Sequence, residues 1–240
     1  MKNKKVLVTG ASKGIGKSIA QELILAGYDV FICARNYGLL EKTAKEIGAK
    51  GFFSCDISNY EDCTKLKKEI GYIDILVNNA GSYVWSAIEK TTRNDIENIT
   101  KLNVIAPYTL ISLFVEDMKS QKWGRIINIG SISGVVGEAN ASLYSMTKSA
   151  MNGLTKALGL ELAEYGITVN TINPGWVETE LSDNAVETSD FSQDEIVDMI
   201  PQRRFIEPIE IANLVKYLAS EEAKGMTAQN ISLCAGLSAG

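Results

Sequence analysis

Residues 5–16 read KVLVTGASKGIG, and the order of residue types in this stretch decides the fold. Lys5 to Thr9 is a short β-type run that stops at Gly10, and from Gly14 the apolar positions Ile15, Ile19 and Leu23 follow helical spacing until Gly27. The stretch is therefore a strand, a tight turn and a helix. Gly10, Gly14 and Gly16 let the backbone turn sharply and approach a ligand closely, and the free N–H groups at the helix start suit a diphosphate. The spacing is not the GxGxxG of the standard dinucleotide fingerprint, and a plain strand-to-helix turn uses glycine in the same way. Its place at the first turn of the fold favours the phosphate reading.

The alternation continues along the chain. Asp29 to Cys33 is a second strand, followed by a helix through Leu39, Leu40, Ala44 and Ile47; a third strand near Gly51 to Cys55 leads to Asp56 and a short charged helix. Ile73 to Val77 is the fourth strand, ended by NNAG at 78–81. A long helix is expected from Arg93 to Lys119, with Pro107 kinking it or ending its first part. Arg125 to Ile129 is the fifth strand and delivers Ser131 at its C-terminal end. A helix carrying Tyr144 and Lys148 then runs to Gly166, and Ile167 to Ile172 is the sixth strand. Residues 176–207 have the least regular pattern and read as a substrate lid. Pro208 opens a last helix through Ile211, Leu214 and Leu218, and Asn230 to Leu233 is a final strand.

Strands alternating with helices throughout, with no linker or low-complexity segment, predict one α/β domain over residues 1–240. Its architecture is a doubly wound, Rossmann-type parallel sheet of about seven strands with helices on both faces. In such sheets ligands bind at the carboxyl ends of the strands. Gly10, Asn78 to Gly81, Ser131 and Asn173 all fall on that edge.

Composition narrows the function. The net charge is −5, from 24 basic and 29 acidic residues, and the one basic block is KNKK at 2–5, which disfavours nucleic acid as a partner. No stretch approaches the roughly 18 apolar residues of a membrane span, and the start of the chain is unlike a signal peptide. Cys33, Cys55, Cys63 and Cys234 are scattered without a CxxC pair and read as reduced thiols of a cytoplasmic protein. The chain has no histidine, so zinc chemistry and Ser-His-Asp or Cys-His catalysis lose most of their usual groups.

Another acid is needed, and Tyr144 supplies one. Lys148 lies four residues on, so the two side chains share a helix face, and an ammonium beside a phenol favours the phenolate and draws its acidity toward working pH. An amphipathic surface pair would have the same spacing. After the second strand the sequence has Ala34, Arg35 and Asn36 in place of the acidic residue that binds ribose hydroxyls. Arg35, with Lys13, can hold a 2′-phosphate, which favours NADP(H) over NAD(H); two solvated cations are the alternative. Asp56 is either an acceptor for an adenine amino group or a helix cap. The asparagines of NNAG either border a cofactor or tie their turn.

TGASKGIG, the post-strand Asp56, NNAG, Asn103 in KLNV, Ser131, YSMTK and NPG at 173–175, in this order, resemble the short-chain dehydrogenase/reductase family over essentially the whole chain. The tail from Ile200 looks most like the β-ketoacyl-[acyl-carrier-protein] reductase branch. The resemblance implies a catalytic set of Asn103, Ser131, Tyr144 and Lys148. Tyr144 would be the general acid, Lys148 would bind the nicotinamide ribose, Ser131 would hydrogen-bond the carbonyl, and Asn103 would hold a relay water. It also implies a cofactor surface of Gly10, Ser12, Lys13, Gly14, Ile15, Gly16, Arg35, Asp56, Ile57, Asn79, Ala80, Gly81, Tyr144, Lys148, Pro174, Gly175, Val177 and Thr179, and no metal. Trp176 is expected in the substrate wall.

The function this implies is NADP(H)-dependent interconversion of a carbonyl and a secondary alcohol, with a 3-oxoacyl thioester on acyl carrier protein as first substrate. A sugar, polyol or tailoring-pathway alcohol is the alternative, and a cofactor-binding regulatory protein without turnover is the alternative of another class. A homo-oligomer, tetramer or dimer, is also implied. The chain departs from the family pattern in a shorter segment between Asp56 and Asn78, in its LCAGLSAG end, and in Tyr165. Tyr165 stands where a carrier-protein surface near the active-site entrance would add a cation to Lys119 and Lys122.

Overall fold

Alternating apolar residues build two cores from one sheet. In the computed structural model, which describes residues 3–188 and 191–238, seven parallel strands run in the order β3-β2-β1-β4-β5-β6-β7. They are β1 (Lys5–Thr9), β2 (Asp29–Ala34), β3 (Gly51–Ser54), β4 (Ile75–Asn78), β5 (Gly124–Ile129), β6 (Ile167–Pro174) and β7 (Gln229–Leu233). Along β1, Val6 and Val8 point into one core while Leu7 points into the other, as the two-residue period of a strand requires.

The first core is closed by α1 (Gly14–Leu25), α2 (Tyr37–Ile47) and, from the C-terminal part of the chain, the helix Pro208–Ala219. That last helix packs on α1, with Lys216 ion-paired to Glu22 at 2.6 Å. The second core lies under α3 (Tyr60–Ile70) and the helix Ala106–Gln121, whose Leu110, Phe114 and Met118 are fully buried. Each such side chain contributes about 1.5–3 kcal/mol by leaving water.

The expected long helix from Arg93 is α4 (Arg93–Thr100), a π-helical segment over Lys101–Ile105, and α5 (Ala106–Gln121). Pro107 marks where the first part of that helix ends, the second of the two expectations. It sits in the first turn of α5, where its missing N–H costs nothing, and the irregularity is the π turn just before it. Taken as one run, Arg93–Gln121 has the length and hydropathy of a membrane span, but its Leu110, Phe114 and Met118 are buried in the second core, as in a core helix.

After β5 come α6 (Ser133–Val136) and α7 (Ser142–Glu161). The lid at 176–207 is more regular than its sequence suggests, holding α8 (Glu180–Thr188) and α9 (Gln193–Met199); its residues 189 and 190 lie outside the described residues. The chain ends with α10 (Pro208–Ala219) and β7. Because the chain winds outward from β1 to β3 and then restarts at β4 on the other side of β1, a crevice opens above the β1–β4 junction.

Candidate active site

One hydroxyl closes the bottom of that crevice. Thr9 Oγ1, at the end of β1, accepts hydrogen bonds from the backbone N–H of Asn79 at 2.9 Å and of Ala80 at 3.0 Å. Asn79 returns the tie through Nδ2, which donates to the carbonyl oxygens of Thr9 at 2.8 Å and Gly10 at 3.2 Å. Gly10 has φ +65°, and a Cβ there would lie 2.8 Å from Ala80 Cα, so this close approach requires glycine. Asn78 donates to Asn128 in the adjacent strand at 2.9 Å. The asparagines of NNAG therefore tie the turn.

Above this floor lies a cavity of about 850 Å³. Every residue of the expected cofactor surface lines it: Gly10, Ser12, Lys13, Gly14, Ile15, Gly16, Arg35, Asp56, Ile57, Asn79, Ala80, Gly81, Tyr144, Lys148, Pro174, Gly175, Val177 and Thr179. The residues present fit a dinucleotide. Helices α2, α3, α4 and α9 have side-chain N-caps in Asn36, Asn59, Thr92 and Ser192, but α1 has none, so its first N–H groups face the cavity open to a phosphate. At the other end, a Cβ on Gly81 would come within 3.5 Å of Lys148 Nζ, and its absence keeps that end of the cavity clear.

Arg35 is exposed at the rim. Lys13 is not free beside it: its ammonium is held by Glu180 of α8 at 2.5 Å, so an incoming phosphate competes with the lid for this cation. Asp56 is not the cap of α3, a role taken by Asn59. Its Oδ1 accepts from the N–H and hydroxyl of Ser58 at 3.1 and 2.7 Å, which holds the carboxylate at the cavity wall.

A second cavity, of about 330 Å³, opens beyond Tyr144 and Ser131, which line both. Its walls include Tyr83, Trp85, Trp176, Phe191 and Met199, and Trp176 is stacked on Phe205 with ring centroids 5.8 Å apart. Ser131 is set by its neighbours: its N–H donates to Asn173 Oδ1 at 3.2 Å, and its hydroxyl oxygen accepts from the N–H of Ser133 at 3.1 Å. The Ser131 hydroxyl donates to Ser133 Oγ at 3.1 Å, and Ser133 in turn donates to Glu138 at 2.6 Å.

Lys148 stands behind Tyr144. It is 6% exposed, its Nζ lies 5.6 Å from the Tyr144 ring centroid, and it donates to the Ile129 carbonyl at 3.0 Å. Burial pushes its pKa down to about 8. Burial also pushes the Tyr144 phenol up to about 12, with the Ser131 hydroxyl pulling down and the Glu138 charge pushing further up. Burial is the largest influence on the phenol, and Lys148 is not among the groups that shift it here.

Asn103 sits in the π segment, 3% exposed, behind the cavity wall. Its Oδ1 accepts from Ser82 N–H at 3.0 Å, and its Nδ2 donates to the Ser82 carbonyl at 3.0 Å and to Thr147 at 3.1 Å. Both amide N–H bonds and one Oδ1 lone pair join the loop after β4 to α7, which leaves one Oδ1 lone pair as the side chain's place for the expected water. Lys119 and Lys122 lie just before β5 and Tyr165 just before β6. That is the sheet edge opposite the cavities, so they do not flank the entrance, and the Lys119 ammonium rests over the Tyr165 ring at 5.0 Å.

Sequence reasoning missed Glu138, Ser133, Tyr83 and Glu180. Ser133 and Glu180 open the helices α6 and α8, while Tyr83 and Glu138 lie in loops with no periodicity, and a polar residue in such places carries no signal until its neighbours are known.

Two O–H donors, Ser131 and Tyr144, face the point where the cavities meet. Tyr144 can donate to a substrate oxygen as negative charge develops on it and pass it a proton, and Ser131 can donate to the same oxygen once its hydroxyl turns from Ser133. A bound nicotinamide cofactor would supply the hydride.

A family model described as short chain dehydrogenase matches residues 4–190. The 3-oxoacyl-[acyl-carrier-protein] reductase FabG of Staphylococcus epidermidis is 36% identical over 244 residues, covering 98% of this chain and 99% of that protein. An uncharacterized oxidoreductase of Bacillus subtilis, YxjF, is 36% identical over 258 residues and the full length of both. Among solved structures, a tryptophan variant of actinorhodin polyketide ketoreductase with NADPH superposes with a TM-score of 0.91 at 34% identity, covering 98% of this chain and 97% of its own. YwfH, an NADPH dependent reductase involved in bacilysin biosynthesis, superposes at 0.92 with 29% identity, covering 98% of both chains.

Proposed function

The chain belongs to the short-chain dehydrogenase/reductase family, and we propose that within it the protein is an NADP(H)-dependent ketoreductase acting on a 3-oxoacyl thioester. The observation that carries the carbonyl chemistry is the placing of Ser131 and Tyr144 where the two cavities meet, with Lys148 behind them. Arg35 at the rim, where an acidic residue would favour NAD(H), supports NADP(H). The thioester is supported by what the Staphylococcus relative is called, and an acyl carrier protein would be its carrier.

Mixing the protein with a short 3-oxoacyl thioester and either NADPH or NADH tests this directly. Loss of NADPH absorbance, much faster than of NADH, is expected. No turnover of a broad carbonyl panel with either cofactor would sink the reading. A second reading, a tailoring-pathway ketone or alcohol, is favoured by Lys119 and Lys122 lying on the edge away from the cavities, where they cannot guide a carrier to this chain's own entrance. Running the assay backwards with an alcohol panel separates the two. A homo-oligomer, cytoplasmic placement and the absence of nucleic-acid and membrane partners remain part of the proposal; sizing the purified protein in solution checks the first.

A further inference from the structure

The second cavity has a charge pattern that carbonyl chemistry alone does not require. Glu138 is the one charged residue lining it among the described residues. The carboxylate is half-buried and is held by two donors: Tyr83 O–H on Oε1 at 2.8 Å and Ser133 O–H on Oε2 at 2.6 Å. An ionised carboxylate offers about four acceptor sites, so two are left for a ligand. Tyr83 is itself locked, its ring edge-on to Tyr144 at 4.9 Å. Glu138 is therefore fixed two hydrogen bonds from Ser131, in a cavity whose other walls are aromatic, aliphatic and uncharged polar residues. No lysine or arginine lines that cavity to offset it among the described residues. Aromatic faces attract cations, and a second anion placed beside Glu138 would meet like charge in a poorly solvated space.

We infer that Glu138 determines which carbonyl compounds this site accepts: those carrying a hydroxyl or ammonium donor one or two atoms from the carbonyl, and not those carrying a carboxylate there. The inference rests on the carbonyl-reduction reading and, because a 3-oxoacyl thioester carries only an acceptor beside its ketone, it favours the tailoring-pathway substrate of the second reading over the thioester. Glu138 acts by touching the substrate's second polar group, while Ser131 and Tyr144 keep the carbonyl oxygen.

Aryl ketones of the form phenyl-CO-CH2-X, with X as ammonium, hydroxyl, methyl or carboxylate, differ only at the position in question. Their kcat/KM values with NADPH are measured for the wild type and for Glu138→Gln, and the ratio of the two enzymes cancels each ketone's own reactivity. Relative to the methyl compound, the substitution should lower the ammonium and hydroxyl compounds about tenfold or more and raise the carboxylate by a similar factor. A uniform change across all four would mean that Glu138 only supports the loop, and would overturn the inference, as would no change.

Saturation-transfer NMR of the same four compounds on the NADP-loaded protein gives a readout independent of turnover, with the same order of affinity expected. If the ketones are not reduced but bind in that order, the reductase reading fails and the selectivity stands. Equal binding of all four, or binding of none, overturns the selectivity. The NADPH affinity of Glu138→Gln should match the wild type, since Glu138 does not line the cofactor cavity, and this serves as the control for folding.

Discussion

The two cavities that meet at Tyr144 are built from different materials. The larger is made mostly of backbone: turns at the ends of β1, β2 and β4, the uncapped start of α1, and glycines whose missing side chains leave room. The smaller is made of side chains carried by the loops around 83–85 and 138 and by the lid. A backbone cavity can bind a constant ligand while most surrounding side chains change. A side-chain cavity changes its ligand with each substitution, which is how one fold serves many substrates.

That contrast can be broken or sharpened by substitution. The largest effect belongs to Tyr144, which lines both cavities: Tyr144→Phe should cut kcat/KM about a thousandfold or more while NADPH affinity, followed by fluorescence, stays within about threefold. Lys148→Met comes next, and with opposite signs for activity and stability. The folded state holds Lys148 at about 8 against an ordinary 10.5. Between those values the unfolded chain binds the extra proton, so wild-type stability rises with pH across this window and is lowest, from this group, below pH 8. The inactive Lys148→Met protein should therefore be more stable than the wild type by about 2–3 kcal/mol at pH 7 in urea titration, with the gap closing toward pH 10.5.

Thr9→Val should then cost about 2 kcal/mol, because it leaves the N–H groups of Asn79 and Ala80 without their acceptor; urea titration of the variant measures it. Arg35→Ala should reduce the NADPH over NADH preference in kcat/KM about tenfold, the worth of one charge-assisted contact. The smallest effect on stability is expected from Met199→Ala on the lid, half-exposed against the smaller cavity. It should change stability by less than about 0.5 kcal/mol yet shift the relative kcat/KM of bulky and small ketones. If Met199→Ala also shifted NADPH affinity strongly, the two cavities would not be separable.

The same contrast explains what could be read from the chain. Strands, helices and the strand-end positions of Gly10, Asn79 and Ser131 follow from periodicity and turn chemistry, which are local. Every expected cofactor-surface residue lies on one cavity because the topology brings strand ends together. Asn103 was legible as a residue but not in its placement: the π turn is a conflict between two helical registers, decided by packing on α7 and the loop after β4. For Tyr144, spacing reveals the neighbouring cation but not the burial that is the largest influence on the phenol. Glu138 and Glu180 were invisible because each has a partner distant in sequence, Tyr83 for Glu138 and Lys13 for Glu180. For Glu180 the partner, Lys13, is 167 positions away.

Thr9 gives this arrangement a mechanical consequence. A single oxygen, on a β-branched side chain with little rotational freedom, takes both N–H groups of the Asn79–Ala80 turn. It works as a gauge: with the return bonds from Asn79 Nδ2, the clearance between the first turn and the fourth strand's turn is set by a few hydrogen-bond lengths. Repacking elsewhere, including wholesale exchange of the lid, can then proceed without retuning the width of the crevice.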